Sequence, residues 1–342
     1  MSVLKGARQQ ESTPAIIRLA HQMAFSSFLH KVGVPVDRLL RQQGLPVVCE
    51  DPDAFVPLRR VWSFFDAAAL LDVPMVGWHV GGHIGDHGLG GGLLNKLDRA
   101  PTLLQAMHRL VRLASAEASH VNLGVLERRD DVLLYSLYPG RREEPGHMQS
   151  QFYQLQIFLA VIRHFLGRHW VPDEIGTEHS VVPALVRAQL RGCRILTRQA
   201  IGYVAVPRAC LHKAACSIES EAGSAGIPAL TDNFNYTDVL RELLRPYLSE
   251  GYPTERFAAT LMDTSVRTLI RRISACGLTY RALVDEVRFT AAKELLQQPD
   301  VRLSEVSLSI GFEDQSHFTR MFRRIGGLTP GQMRRAALAK QA

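Results

Sequence analysis

Two stretches in the last third of the chain repeat one pattern, and that repetition constrains the fold more than any other feature. The first reads ERFAATLMDTSVRTLIRRI from Glu255, and the second reads SEVSLSIGFEDQSHFTRMFRRI from Ser304. Each divides into a short apolar-striped helix, a tight turn and a second helix with arginines on its open face, which is the pattern of a helix-turn-helix unit. Gly311 stands at the second turn, where positive φ is needed and a glycine carries no Cβ penalty. Asp263 stands at the matching place in the first, a position aspartate tolerates better than most residues.

Within the second helices, Leu269 and Ile273, and likewise Phe318 and Phe322, recur four apart and are expected to face the core. The positions between them face out: Ser265, Arg267, Thr268, Ile270 and Arg271 in the first unit, and Gln315, Ser316, His317, Thr319, Arg320 and Arg323 in the second. Arginine pairs bidentately with guanine and glutamine with adenine, while serine and threonine suit phosphates and base edges alike. Between the units, Tyr280, Leu283, Val284, Val287, Ala291 and Leu295 make one apolar stripe that predicts a helix over 279–298, stopped by Pro299. At ~1.5 Å per residue such a helix spans roughly 30 Å, near the ~34 Å between successive major-groove faces. One chain could then place two recognition helices in consecutive grooves of double-stranded DNA.

The rest of the chain is too long for one further small module. At 342 residues, with 46% hydrophobic and 21% charged residues, two or three globular domains are expected. Helical spacing recurs over 15–30, 57–71 and 101–115. Residues 121–127 and 132–138 alternate in β-prone residues about a turn and read as a hairpin, followed by a helix over 147–168 and two β-like runs, CRIL and GYVAVP. The fold class that emerges is an α+β N-terminal sensor domain, with helices and a small antiparallel sheet, followed by an all-α DNA-binding domain. That second domain has two helix-turn-helix units joined by a long helix. The glycine-bearing SIESEAGSAGIPAL suggests a connection, giving domains over 1–220 and 236–342 with a linker at 221–235.

A formal charge of +7 fits an anionic partner. The five cysteines are scattered and without a CxxC pair, which argues against a disulfide framework or zinc knuckle and fits a reducing cytoplasm. No signal-peptide core or membrane-length apolar run is evident, so no membrane role is expected. His79, His83 and His87 are four apart and would align on a helix for a metal, but Gly81, Gly82 and Gly85 disfavour one, so this stretch reads as a turn leading into a helix near Leu93. The glycines from Gly88 to Gly92 match neither GxGxxG after a strand nor a P-loop, and no cofactor is expected. Trp62, Phe65, Trp78, His79 and Tyr135 could line an apolar ligand pocket, against the plainer reading that aromatic residues at helical spacing are core. No catalytic constellation stands out, so no enzyme is expected.

The segment GFEDQSHFTRMFRRIGGLTPGQMRR, with its turn glycine, Phe318 and Phe322, and the trailing Gly327, Leu328, Thr329 and Pro330, resembles the AraC/XylS family of bacterial transcription regulators. The resemblance covers about a hundred residues. It implies that Ser265, Arg267 and Arg271, with Gln315, Ser316, His317 and Arg320, face DNA. Two positions depart from the family pattern: Ile270 replaces a polar residue, and Ser307 a small alanine whose place a hydroxyl bonding back along the helix can take. More weakly, residues from Ala15 to about His212 resemble the effector domain of the ornithine-utilisation-regulator type, which differs from a cupin-like sensor. The resemblance implies a cytoplasmic activator responding to a small-molecule effector, self-association through the N-terminal domain, and RNA polymerase as a partner. A metal or redox sensor on the same DNA-binding scaffold is the alternative.

Overall fold

The structure, a computed structural model, describes residues 13–49, 51–71, 73–87, 97, 100–138, 140, 142–214, 235–298 and 300–338. They fall into two compact units, one within Ala15–Leu45 and Leu58–Asp232 and the other within Met1–Pro14, Pro46–Pro57 and Asn233–Ala342. The connection expected over 221–235 lies outside the described residues except for Asn235.

The N-terminal unit is α+β. Strand β1 (Ile16–Arg18) leads into α1 (Leu19–Lys31) and α2 (Val36–Gln42), so the first expected helix starts four residues later than its apolar run. Then come α3 (Leu58–Ala69), α4 (Val76–His87), α5 (Leu103–Glu117) and the expected hairpin of β3 (Asn122–Glu127) and β4 (Asp131–Leu137). After α6 (His147–Leu166), the strands β5 (Glu174–Gly176), β6 (Arg194–Leu196) and β7 (Gly202–Pro207) complete the sheet, with α7 (Ala184–Gln189) between β5 and β6. The sheet order is β3-β4-β7-β5-β6, antiparallel except for the parallel β5–β6 pair. Val132 and Leu134 lie opposite Val206 and Val204, and all four are buried in the core, a β-branched and leucine surface on which α6 packs.

Helix α4 overturns the turn expected at WHVGGHIGDH. Gly77 and Gly81, four apart, form a flat face on which α6 closes. A Cβ at Gly81 would stand 2.7 Å from the Tyr153 carbonyl oxygen, and one at Gly77 would strike that of Gln149. The Gly77 N–H also donates to Gln149 Oε1 at 3.0 Å. Each glycine costs the helix about 1 kcal/mol in propensity, and backbone-close packing of two helices offsets it, a term that local propensity does not contain.

The C-terminal unit is helical apart from β2 (Phe55–Pro57), which packs with α8 (Tyr236–Leu244) and the 3-10 segment Arg245–Glu250. Arg245 ties this segment together, reaching Asp51 at 3.4 Å and pairing with Glu294. The remaining helices are α9 (Glu255–Leu261), α10 (Val266–Ala275), α11 (Tyr280–Leu295), α12 (Leu303–Ser309), α13 (Gln315–Gly326) and α14 (Pro330–Leu338). Thr254, Ser265, Thr279 and Asp314 each cap the helix that follows through a side-chain oxygen, which is why these helices begin where they do. Helix α11 has 16 residues, about 24 Å at ~1.5 Å per residue, so it is shorter than expected. Its first half carries the first helix-turn-helix unit, with the Tyr280 hydroxyl donating to the Pro253 carbonyl at 2.7 Å. Its second half carries the other, through a core of Ala292, Leu296, Val306, Ile310, Phe318, Met321 and Phe322.

Candidate nucleic-acid interface and small-molecule pocket

Leu269, Ile273, Phe318 and Phe322 are all buried, as the four-residue spacing predicts. That burial fixes which faces of α10 and α13 remain open. The turns are left-handed at Asp263 (φ 47) and Gly311 (φ 76), and at Gly311 a Cβ would strike the Leu248 carbonyl oxygen. Ser307, buried at the end of α12, donates its hydroxyl forward to the Phe312 carbonyl at 3.3 Å rather than back along the helix, so it secures the turn instead.

On the open face of α10, Arg267 and Arg271 are exposed, with Ile270 and Thr268 half-buried beside them. Ser265 is exposed, but its hydroxyl is engaged as the cap, accepting from the Thr268 N–H at 3.2 Å and lying 3.0 Å from the Thr268 hydroxyl. Arg272, next in the arginine run, turns away and lies over the Tyr236 ring at 4.8 Å. On α13, Gln315, Ser316, His317, Arg320 and Arg323 are exposed. Thr319 is half-buried and donates its hydroxyl to the Gln315 carbonyl at 2.9 Å. Asp314 sits at the start of this row, its carboxyl held below the usual range first by the Ser316 N–H; His317 stands 3.7 Å from it.

Arg288 on α11 was not singled out by sequence reasoning, and it anchors the second unit. It is 4% exposed. It donates to the Gly311 carbonyl at 2.9 Å and lies against the rings of Phe312 (4.3 Å) and Tyr252 (5.1 Å). Burial pulls its guanidinium below the usual arginine range. Arg324, on α13, pairs with Asp285 of α11. Between them opens a cleft of about 730 Å³ that also borders His317 and Arg320. A lone arginine inside an otherwise apolar stripe was the available signal.

In the N-terminal unit, Trp62 and Phe65 line a mainly apolar pocket of about 70 Å³ among α1, α3, α5 and α6. Trp78, His79 and Tyr135, expected beside them, do not line it. The Trp78 indole donates to Gln189 Oε1 at 2.7 Å. His79 stacks on Phe28 at 5.9 Å, and burial with His83 nearby lowers its pKa. Tyr135 covers Gly124 across the hairpin. Periodicity places aromatics on a helix face but does not say which faces enclose a common space.

Sequence reasoning missed the pocket's polar end. The His21 Nδ1 lies 2.8 Å from the Tyr153 hydroxyl, and its Nε2 lies 3.4 Å from Glu117. Burial pushes the Tyr153 hydroxyl well above its ordinary pKa, so it stays protonated. Arg18 stands 3.9 Å from the same carboxylate and donates to the Ala116 carbonyl. His79 and His83 share α4, whereas the His87 side chain lies outside the described residues. Among the described residues no group of three side chains could hold a metal, and no helix is long and apolar enough to cross a membrane.

Paired turns with buried anchors and exposed arginine rows, set on one connecting helix in a chain that also folds an α+β unit, define a two-unit helix-turn-helix protein. Residues 258–336 match the family described as a helix-turn-helix domain, and residues 33–214 match the arabinose-binding domain of AraC transcription regulator, N-terminal. The chain belongs to the AraC family of transcription regulators. It is 38% identical over 85 residues to the ornithine utilization regulator of Pseudomonas aeruginosa, 25% of each chain. It is 39% identical over 77 residues to the transcriptional activator NphR of a Rhodococcus species, 22% of this chain and 23% of that one. The matched part is thus about a quarter of these relatives' length. The crystal structure of the regulator CdpR from Pseudomonas aeruginosa aligns over 88% of this chain and 96% of its own, at 19% identity and a TM-score of 0.36. These relatives are transcription regulators and not enzymes.

Proposed function

We propose that this chain is a sequence-specific DNA-binding transcription activator whose N-terminal domain binds a small-molecule effector. The observation that carries the reading is the pair of exposed rows, Arg267 and Arg271 on α10 and Gln315, Ser316, His317, Arg320 and Arg323 on α13, each held outward by buried anchors. Ser265 then acts as the cap that orients α10, and Ile270 offers an apolar contact such as a thymine methyl accepts. Thr268 and Thr319 border the rows. Activation rests on the name of the Rhodococcus relative, and with it RNA polymerase is the implied partner. Along the sequence the proposed domain limits are 1–220 and 236–342 with a linker at 221–235, residues 46–57 clustering with the C-terminal unit, and the N-terminal domain self-associates. The effector enters the pocket beside Trp62 and Phe65 and acts by preferring one arrangement of the chain.

The test is operator binding by fluorescence anisotropy across a set of single-base variants. Arg267→Ala and Arg320→Ala are each expected to lose about 1–3 kcal/mol of specific affinity and to relax base preference at one position. Unchanged affinity in both would remove the assigned reading faces.

A further inference from the structure

The pocket of the N-terminal unit has a charge balance that selects what it can hold. Its walls are Leu58, Trp62, Phe65, Leu110, Leu113 and Ile157, and its polar end is Glu117 with His21 and Tyr153. Glu117 is the one acid in the lining, and it already faces two basic groups, Arg18 at 3.9 Å and His21 at 3.4 Å. His21 is 7% exposed, its Nδ1 is taken by Tyr153, and its Nε2 has no hydrogen-bond partner. A bound cation would add a buried charge to a carboxylate already balanced, and a bound anion would meet that carboxylate directly. Either leaves a charge uncompensated away from water, which is costly. An uncharged hydroxyl can donate to Glu117 and satisfy this end without adding charge.

Size narrows the class further. The space of about 70 Å³ is roughly half the ~150 Å³ apolar cavity that takes up benzene. Resting on the proposed effector role of this pocket, we infer that it binds a short-chain or branched uncharged alcohol. The hydrocarbon lies against Trp62, Phe65 and Ile157, and the hydroxyl lies at Glu117.

The experiment uses the full chain and three matched probes, isobutanol, isobutyrate and isobutylammonium, read by ligand-observed saturation-transfer NMR. Isobutanol is expected to bind and the two ions to bind at least about tenfold more weakly, given the cost of an unpaired buried charge. Ala114→Trp, at a position lining the pocket, fills the space and abolishes the isobutanol signal. Glu117→Gln leaves Arg18 without its countercharge and moves the preference toward isobutyrate. This variant keeps the side chain's size and carries the test if circular dichroism shows Ala114→Trp unfolded. Either ion binding as well as isobutanol overturns the inference, as does an isobutanol signal that persists in folded Ala114→Trp or an unmoved preference in Glu117→Gln. Anisotropy on operator DNA with the same preparations separates the two levels. DNA binding with no alcohol binding removes only this inference, whereas alcohol binding with no DNA binding removes the regulator reading.

Discussion

Gly311 and Gly327 share nearly the same backbone twist, φ 76 and φ 73, yet their surroundings differ. Nothing lies within 4 Å of a Cβ built at Gly327, whereas one at Gly311 strikes the Leu248 carbonyl and comes within 2.8 Å of that of Gly251. Gly327→Ala is therefore expected to cost only the left-handed penalty, about 1–2 kcal/mol. Gly311→Ala adds a steric clash and should exceed it, with urea unfolding of the two variants giving the comparison. Equal losses would mean that the turn relaxes freely. His147 is the residue-scale pH sensor. It is buried among Trp62, Tyr138 and His179, with Nδ1 3.2 Å from His179 Nε2, and burial, then His179 and Arg142, pull its pKa to about 4. The folded state thus holds this imidazole neutral where the unfolded chain, near 6.5, takes up a proton. Its contribution is full above the unfolded value and is lost as pH falls from there through about 4. The melting temperature should drop over that window, and less steeply in His147→Phe.

At the scale of elements, α4 and α6 meet through glycines, and the two central ones make opposite predictions. A Cβ at Gly82 meets only the far end of Gln156 at 3.8–3.9 Å, an ordinary contact, whereas one at Gly81 meets the Tyr153 carbonyl at 2.7 Å. Gly82→Ala should stabilise by about 0.4–1 kcal/mol through helix propensity and a restricted unfolded chain. Gly81→Ala should destabilise by about 1–3 kcal/mol through overpacking. Calorimetry on both variants checks the pair, and matching signs would contradict the close approach. In the C-terminal unit the same logic runs through capping: Thr279 accepts from the Ala282 N–H at 3.2 Å, so Thr279→Ala should cost about 1 kcal/mol.

At the scale of the whole molecule, the C-terminal unit includes a piece of the chain remote in sequence. Residues 46–57 cluster with the helices after 233, with β2 against α8 and Asp51 at 3.4 Å from Arg245. A fragment of residues 233–342 should still bind operator DNA with a steep salt dependence and ignore the effector. Lacking β2 and Asp51, it should also melt below the same helices in the full chain. A fragment as stable as the parent unit would show that residues 46–57 contribute nothing to it.

Sequence alone settled the elements whose signal is local. Both turns, the four buried anchors of α10 and α13, the hairpin and α6 follow from periodicity and from residues that tolerate positive φ, because backbone sterics and side-chain spacing act within a few residues. It also set the open faces of the recognition helices, since anchors four apart leave the intervening positions outside. Tertiary structure decided what depends on a partner element: α4 as a helix, the turning of Arg272 and Arg324 toward the scaffold, and Arg288 beneath the second turn. It also decided that Trp62 and Phe65 share a cavity with His21, Tyr153 and Glu117 while Trp78, His79 and Tyr135 do not. Those outcomes rest on close approach, burial and charge pairing between residues far apart in the chain, and no window of neighbouring residues contains them.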